Sequence, residues 1–124
     1  MNKYKARKIV VDGETYDSKR EYKRHLFLIH LADIGRIKDL CRQVEYELIP
    51  IQREPDIITK TGKRKPGRVR ERKCSYIADF VYEQDGQTVV EDVKGYRGGG
   101  AYAVFVIKRK LMLERYGIHI LEVK

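Results

Sequence analysis

Apolar and polar positions along this chain fall into segments of different period. "KIVVDGETYD" alternates briefly around Asp12-Gly13, a dipeptide that accepts positive φ and so predicts a tight hairpin turn. From Ser18 the spacing becomes helical. Tyr22, Leu26, Ile29, Leu31, Ala32 and Ile34 supply a broad apolar face, and Gly35 stops it. "SKRE" opens that helix as a capping box, with Ser18 as N-cap and Glu21 three residues on. "QVEYELIPI" returns to period two, with Val44, Tyr46 and Leu48 set against Gln43, Glu45 and Glu47, which predicts a half-buried strand ending near Pro50. Residues 53–73 break the pattern and read either as a long loop or as an extended hairpin with a frayed tip around "TGKRKPGR".

Beyond that break, "CSYIADFVYEQDGQTVVEDVKG" holds two strands flanking Asp85-Gly86, the strongest short hairpin signal in the chain. "RGGG" predicts a pliable loop. "AYAVFVIKRKLMLERYG" predicts a helix with Val104, Ile107, Lys108, Leu111 and Met112 along one side and Gly117 as its stop, and "IHILEV" a last strand. Strand, helix and strand make a βαβ crossover, so the last strand should run parallel to the one bearing Asp92. The order is helix, three strands, helix, strand, an α/β arrangement in one domain spanning residues 1–124, as the length allows.

Charge adds a partner class to this outline. There are 27 Lys and Arg against 18 Asp and Glu, a formal net charge of +9, which suits a polyanion and above all nucleic acid. The surplus is uneven. It gathers in a basic arm and hairpin at 1–17 and in the 53–73 insertion, where Lys63, Arg64, Lys65, Arg68, Arg70, Arg72 and Lys73 are candidate DNA-backbone contacts. Cys41 and Cys74 have no metal or redox spacing and read as reduced thiols. No segment has the apolar length of a membrane span or a secretory h-region, so a cytoplasmic protein with no membrane partner is expected.

The end of the second hairpin strand, "EDVKG", carries the candidate chemistry. A two-residue turn at 85 and 86 fixes the pairing, which sets Asp79 directly opposite Asp92; Lys94 shares their face by period two, as do Ile77, Val81 and Val90. Like charges directly opposite destabilise a sheet, so the pair asks for a reason. Mg²⁺ (or Mn²⁺) offers one, because it takes one or two carboxylates, keeps several waters and leaves room for a substrate phosphate. A plain Asp-Lys salt bridge at a strand end is the simpler alternative. Glu91 points to the other face and reads as a solvated partner for a basic side chain, while His25, His30 and His119 lack ligand spacing.

"IADF", thirteen residues and "EDVKG" resemble the split motif of the PD-(D/E)XK nuclease superfamily, and the whole chain is similar to a family of small phage proteins assigned to it. "YDSKREYKRHLFLIHLADIGRIKDLCRQVEYELIP" is similar to the opening of its transposon-end and phage branches. The resemblance covers residues 15 to 124, departing at Ala78, where the superfamily expects Pro. It implies a restriction-endonuclease-like αβββαβ core with a mixed sheet flanked by helices and a basic loop or hairpin insertion. It further implies Asp79, Asp92 and the Val93 carbonyl as metal ligands, Lys94 as the catalytic lysine, and Glu21 as a helix carboxylate reaching the metal directly or through water. Glu21 is equally accounted for as a cap. Lys108, on the second helix, is implied near the DNA, with an ordinary snorkelling lysine as the alternative. The implied activity is a Mg²⁺- or Mn²⁺-dependent DNA endonuclease selective for double-stranded or branched structures, acting in the host cytoplasm if phage-encoded. Resolution of four-way junctions would require a homodimer, since two symmetric incisions need two sites. The other class open to the sequence is a nucleic-acid-binding module with no catalysis.

Overall fold

Both Asp-Gly dipeptides turn the chain as their chemistry requires. Asp12 and Gly13 have φ of 51° and 80°, and Asp85 and Gly86 have 51° and 78°, the left-handed pairs of a two-residue hairpin turn. The computed structural model describes residues 7–95 and 97–124; residues 1–6 of the expected basic arm lie outside them. The elements in chain order are β1 (Ile9–Val11), β2 (Glu14–Tyr16), α1 (Lys19–Asp33), β3 (Lys38–Ile49), β4 (Gln52–Arg53), β5 (Ile57–Ile58), β6 (Arg64–Lys65), β7 (Val69–Glu71), β8 (Cys74–Gln84), β9 (Gln87–Val93), α2 (Gly99–Tyr116) and β10 (Leu121–Val123).

Four of these strands form a mixed sheet in the order β10-β9-β8-β3. β3, β8 and β9 are antiparallel neighbours in turn, and β10 pairs β9 in parallel, as a βαβ crossover through α2 demands. The fold is therefore α/β with the order αβββαβ, and the two helices flank the sheet. Val90 packs with Phe105 and Met112 of α2, whereas the next residue, Glu91, bonds Arg24 of α1. Successive strand residues point to opposite faces, so the helices cover opposite sides. Residues 52–71 form the extended hairpin, not the loop. β4 pairs β7, β5 pairs β6, and the arm stays closed because Gly67 lets two backbones touch: a Cβ there would lie 2.0 Å from the Glu54 carbonyl oxygen.

The inward faces of the helices differ from the apolar stripes read in the sequence. In α1, Leu26, Ile29 and Ile34 are exposed, and the buried residues are Glu21 and Leu28. Leu28 joins Ile37, Phe80 and Tyr82 in one core cluster. The helix turns this mixed stripe inward because Arg24 and Glu21 have buried partners on the sheet side that outweigh the burial of Leu26. In α2, Val104 and Ile107 are exposed, and the seam runs through Phe105 and Met112 against Tyr76, Ala78 and Val90. The glycines expected to form a loop instead start α2, with Gly98 as its N-cap and Gly99 and Gly100 inside it.

Candidate active site

The site grows from the β8–β9 register. Pairs run from Gln84–Gln87 at the turn to Phe80–Glu91, and the next positions along are Asp79 and Asp92. There the ladder gives way to a side chain, because Asp79 Oδ2 accepts the Val93 N–H at 2.8 Å. Lys94 follows on β9's exit, its ammonium 2.6 Å from Asp92 Oδ2 and 3.9 Å from the centre of the Phe105 ring. All four residues line one cleft of about 750 Å³, together with Glu21, Asp17 and Lys108. The side chains expected to share a face do so. Val93 also lines the cleft, and the group it offers to Asp79 is its N–H.

Glu21 serves both purposes read for it. Ser18 Oγ accepts the Glu21 N–H at 3.2 Å, as a capping box requires. The return bond falls one residue earlier than expected, since Glu21 Oε2 accepts the N–H of Asp17, at 2.9 Å, not that of Ser18. Its Oε1 faces β3 and accepts from Arg42 Nη2 at 3.2 Å and Gln43 Nε2 at 3.0 Å. The side chain is only 3% exposed, so these bonds fix where the carboxylate points. Carboxylate oxygens of Asp17, Glu21 and Asp79 lie within 4.8 Å of one another, a spacing that one cation could bridge.

Burial drives the electrostatics. Asp79 is pushed up to about 8, first by burial and then by the facing Asp92 carboxylate. At neutral pH, with no cation present, that acid holds its proton. Asp92 Oδ2 is buried and accepts no hydrogen bond of acceptable angle, although the Lys94 ammonium is beside it. Tyr76 also lines the cleft, and burial together with the Asp92 and Asp79 charges raises its phenol, so it keeps its proton. Every potential ligand is a hard oxygen donor, and a buried carboxylate oxygen lacks a hydrogen bond; both suit a small divalent cation.

Three participants in this site escape the sequence patterns. Asp17 stands just before the N-cap, where it reads as part of the hairpin; its place four residues before Glu21 is the one signal it gives. Period two assigns Gln43 to the solvent face of β3. Its φ of 53° breaks the alternation and swings its amide to Glu21 and to within 3.5 Å of Asp79 Oδ1, and nothing in a non-glycine residue announces such a φ. Arg42, next to it, pins Glu21 from the same strand. Glu91 corrects a further expectation. It has a basic partner, but it is not solvated: fully buried, it accepts Arg24 Nε at 2.8 Å and Nη2 at 2.7 Å, and the Tyr82 hydroxyl as well.

The basic residues divide between two places. Lys108 lines the cleft with Arg7, Lys19 and Arg20. Lys63, Arg64, Lys65, Arg68, Arg70, Arg72 and Lys73 are all exposed on the arm or at its base and do not line the cleft. Arg64, Arg70 and Lys73 pair with Asp56, Glu54 and Glu45, while Lys63, Lys65, Arg68 and Arg72 make no ion pair among the described residues. No helix among the described residues is long and apolar enough to cross a membrane.

Residues 1–122 match the family described as "Protein of unknown function (DUF1064)", and the chain belongs to that family. No curated protein and no solved structure matches it.

Proposed function

We propose that this DUF1064 chain is a metal-dependent DNA endonuclease of the PD-(D/E)XK type. The observation that carries the reading is the convergence, in one cleft, of Asp79, Asp92 and Lys94 from the β8–β9 hairpin with Glu21 from the start of α1. Asp79, Asp92 and Glu21 would hold Mg²⁺ or Mn²⁺, with Asp17 within reach of the same ion. Bound there, the cation would act as a Lewis acid at the scissile phosphate and lower the pKa of a water.

The protein's own groups do the rest. Arg42 and Gln43 hold Glu21 at a fixed angle, so no reorganisation is needed when substrate arrives. The Lys94 ammonium, steadied between Asp92 and the Phe105 ring, offsets negative charge as water adds to phosphorus and the ester oxygen leaves. Arg7, Lys19, Arg20 and Lys108 around the cleft, and the four unpaired cations of the arm, engage the backbone on either side. Such contacts read phosphates, not bases, so selectivity falls on DNA structure: branched or double-stranded substrates, with a homodimer where paired incisions are made.

The arm's separation from the cleft favours a second reading, a binding module that uses the arm alone. A panel of labelled junction, flap, nicked and linear duplexes in Mg²⁺ or Mn²⁺ separates the two. The nuclease cleaves at least one of them, and Asp92→Ala and Lys94→Ala each abolish the cut. Cleavage that survives both substitutions sinks the assignment, and binding without any cleavage supports the module.

A further inference from the structure

Buried side-chain polar atoms without a partner are few in native proteins and tend to mark places where a ligand supplies the missing bond. Among the described residues they are Arg42 Nε, Ser75 Oγ, Tyr76 OH and Asp92 Oδ2. Ser75, Tyr76 and Asp92 line the same cleft, and Arg42 grips Glu21 at its edge. Their chemistry differs. Ser75 lies beside Glu45, on the solvent-facing side of β3, which already answers it. Asp92 Oδ2 only accepts and is suited to a cation. The Tyr76 hydroxyl is the donor among the cleft atoms that is left without an acceptor. Asp92 is near enough to raise its pKa, but the two make no hydrogen bond of acceptable angle.

We propose that Tyr76 is a further catalytic residue of this cleft, donating its phenolic O–H to a non-bridging oxygen of the phosphate being cleaved. The inference rests on the nuclease reading and supplies a contact that the carboxylates cannot make, because ionised acids only accept. The ring is fixed in advance. Tyr76 sits within β8 opposite Tyr46, three residues before Asp79, and is 4% exposed. Its ring centre lies 6.2 Å from that of Phe105, the ring that also carries the Lys94 ammonium. One aromatic side chain thus positions both a neutral donor and a cation at the same cleft. A donor held rigid and dry at a site where charge develops is worth far more than the same group in water, on the order of 10²–10³ in kcat for one such donor.

The test is Tyr76→Phe, which keeps the ring and removes only the hydroxyl. Turnover on the best substrate of the panel should fall at least tenfold, with KM for DNA and the affinity for Mn²⁺ within twofold of wild type. The melting temperature should hold or rise, because an unpartnered buried hydroxyl has been deleted. Phosphorothioate substrates add a readout that packing would not move: the penalty for sulfur at one of the two non-bridging positions should disappear in the variant. Unchanged turnover overturns the proposal and leaves the nuclease reading standing. A loss of turnover that follows a lowered melting temperature or weakened Mn²⁺ binding assigns the phenol to the core and also overturns it. Wild-type protein that cleaves nothing refutes the nuclease reading, and this one with it.

Discussion

Replacing Glu91 with Gln tests how the two halves of the site are kept in register. Glu91 precedes Asp92 on β9, and Arg24 follows Glu21 by three residues on α1, so their ion pair ties the strand that carries one acid to the helix that carries another. The carboxylate is fully buried and takes two guanidinium bonds, at 2.8 and 2.7 Å, plus the Tyr82 hydroxyl. Bonding to Glu91 raises the Arg24 pKa, which marks the contact as favouring the charged pair. Removing one partner of a buried pair typically costs about 3–5 kcal/mol, because it strands the other charge. The Arg24 side chain is 24% exposed and can partly recover water, which places Glu91→Gln near the lower figure, about 3 kcal/mol. With an unfolding entropy near 2.1 cal/mol/K per residue, that loss lowers the melting temperature of a chain this size by roughly 12 °C. Differential scanning calorimetry of Glu91→Gln, Arg24→Met and the Arg24→Met/Glu91→Leu double variant forms a cycle. The double variant should recover most of the loss, since no charge is then left unpaired. Single variants that melt within about 3 °C of wild type, on that entropy scale, would show that the brace contributes little and that α1 is held by packing alone.

Three further outcomes follow from the same geometry. In chelator, stability should fall as pH rises from about 4 to about 8. The folded-state pKa of Asp79 is raised above its unfolded value, so the native state holds an extra proton across that window and loses its advantage as the acid ionises. Urea titrations should show a slope of at most about 1.4 kcal/mol per pH unit, reduced by Asp79's partial exposure and nearly flat in Asp79→Asn; a slope of opposite sign contradicts the burial argument. Gly67→Ala should open the arm, because the new Cβ meets the Glu54 and Pro55 carbonyl oxygens at 2.0 and 2.5 Å, both backbone atoms. Proteolysis within 52–71 should accelerate and DNA affinity drop while the core melts as before, and an arm as resistant as wild type refutes the close approach. Replacing Lys63, Lys65, Arg68 and Arg72 together with Ala should lower the salt slope of DNA binding by roughly 3 to 4, near 0.9 for each phosphate that is no longer neutralised. An unchanged slope removes the arm from the interface.

The parts of this molecule governed by local chemistry were legible in its sequence. Asp85-Gly86 permits one tight turn, the turn fixes the register, and the register brings Asp79 across from Asp92 and leaves Lys94 on their side. The Ser18 cap and the Gly35 and Gly117 stops were readable for the same reason. What escaped depends on partners distant in sequence. The inward face of α1 looked apolar at Leu26 and Ile29, yet the helix turns Glu21 and Arg24 inward to meet Gln43 and Glu91, and a hydrophobic pattern cannot register a stripe held by charge. Gln43 escaped because a positive φ reverses the period-two rule at one residue. The closed arm depends on Glu54 and Gly67 touching through their backbones, which no periodicity encodes.

Calorimetric titration of the chelator-treated protein with Mn²⁺ tests the central claim most directly, since a cation is what should reconcile the facing acids. The account predicts saturable binding that weakens at least tenfold in Asp92→Asn and in Asp79→Asn, and that tightens as pH rises toward 8 because Asp79 gives up its proton. No heat of binding, or binding indifferent to both substitutions, would contradict it.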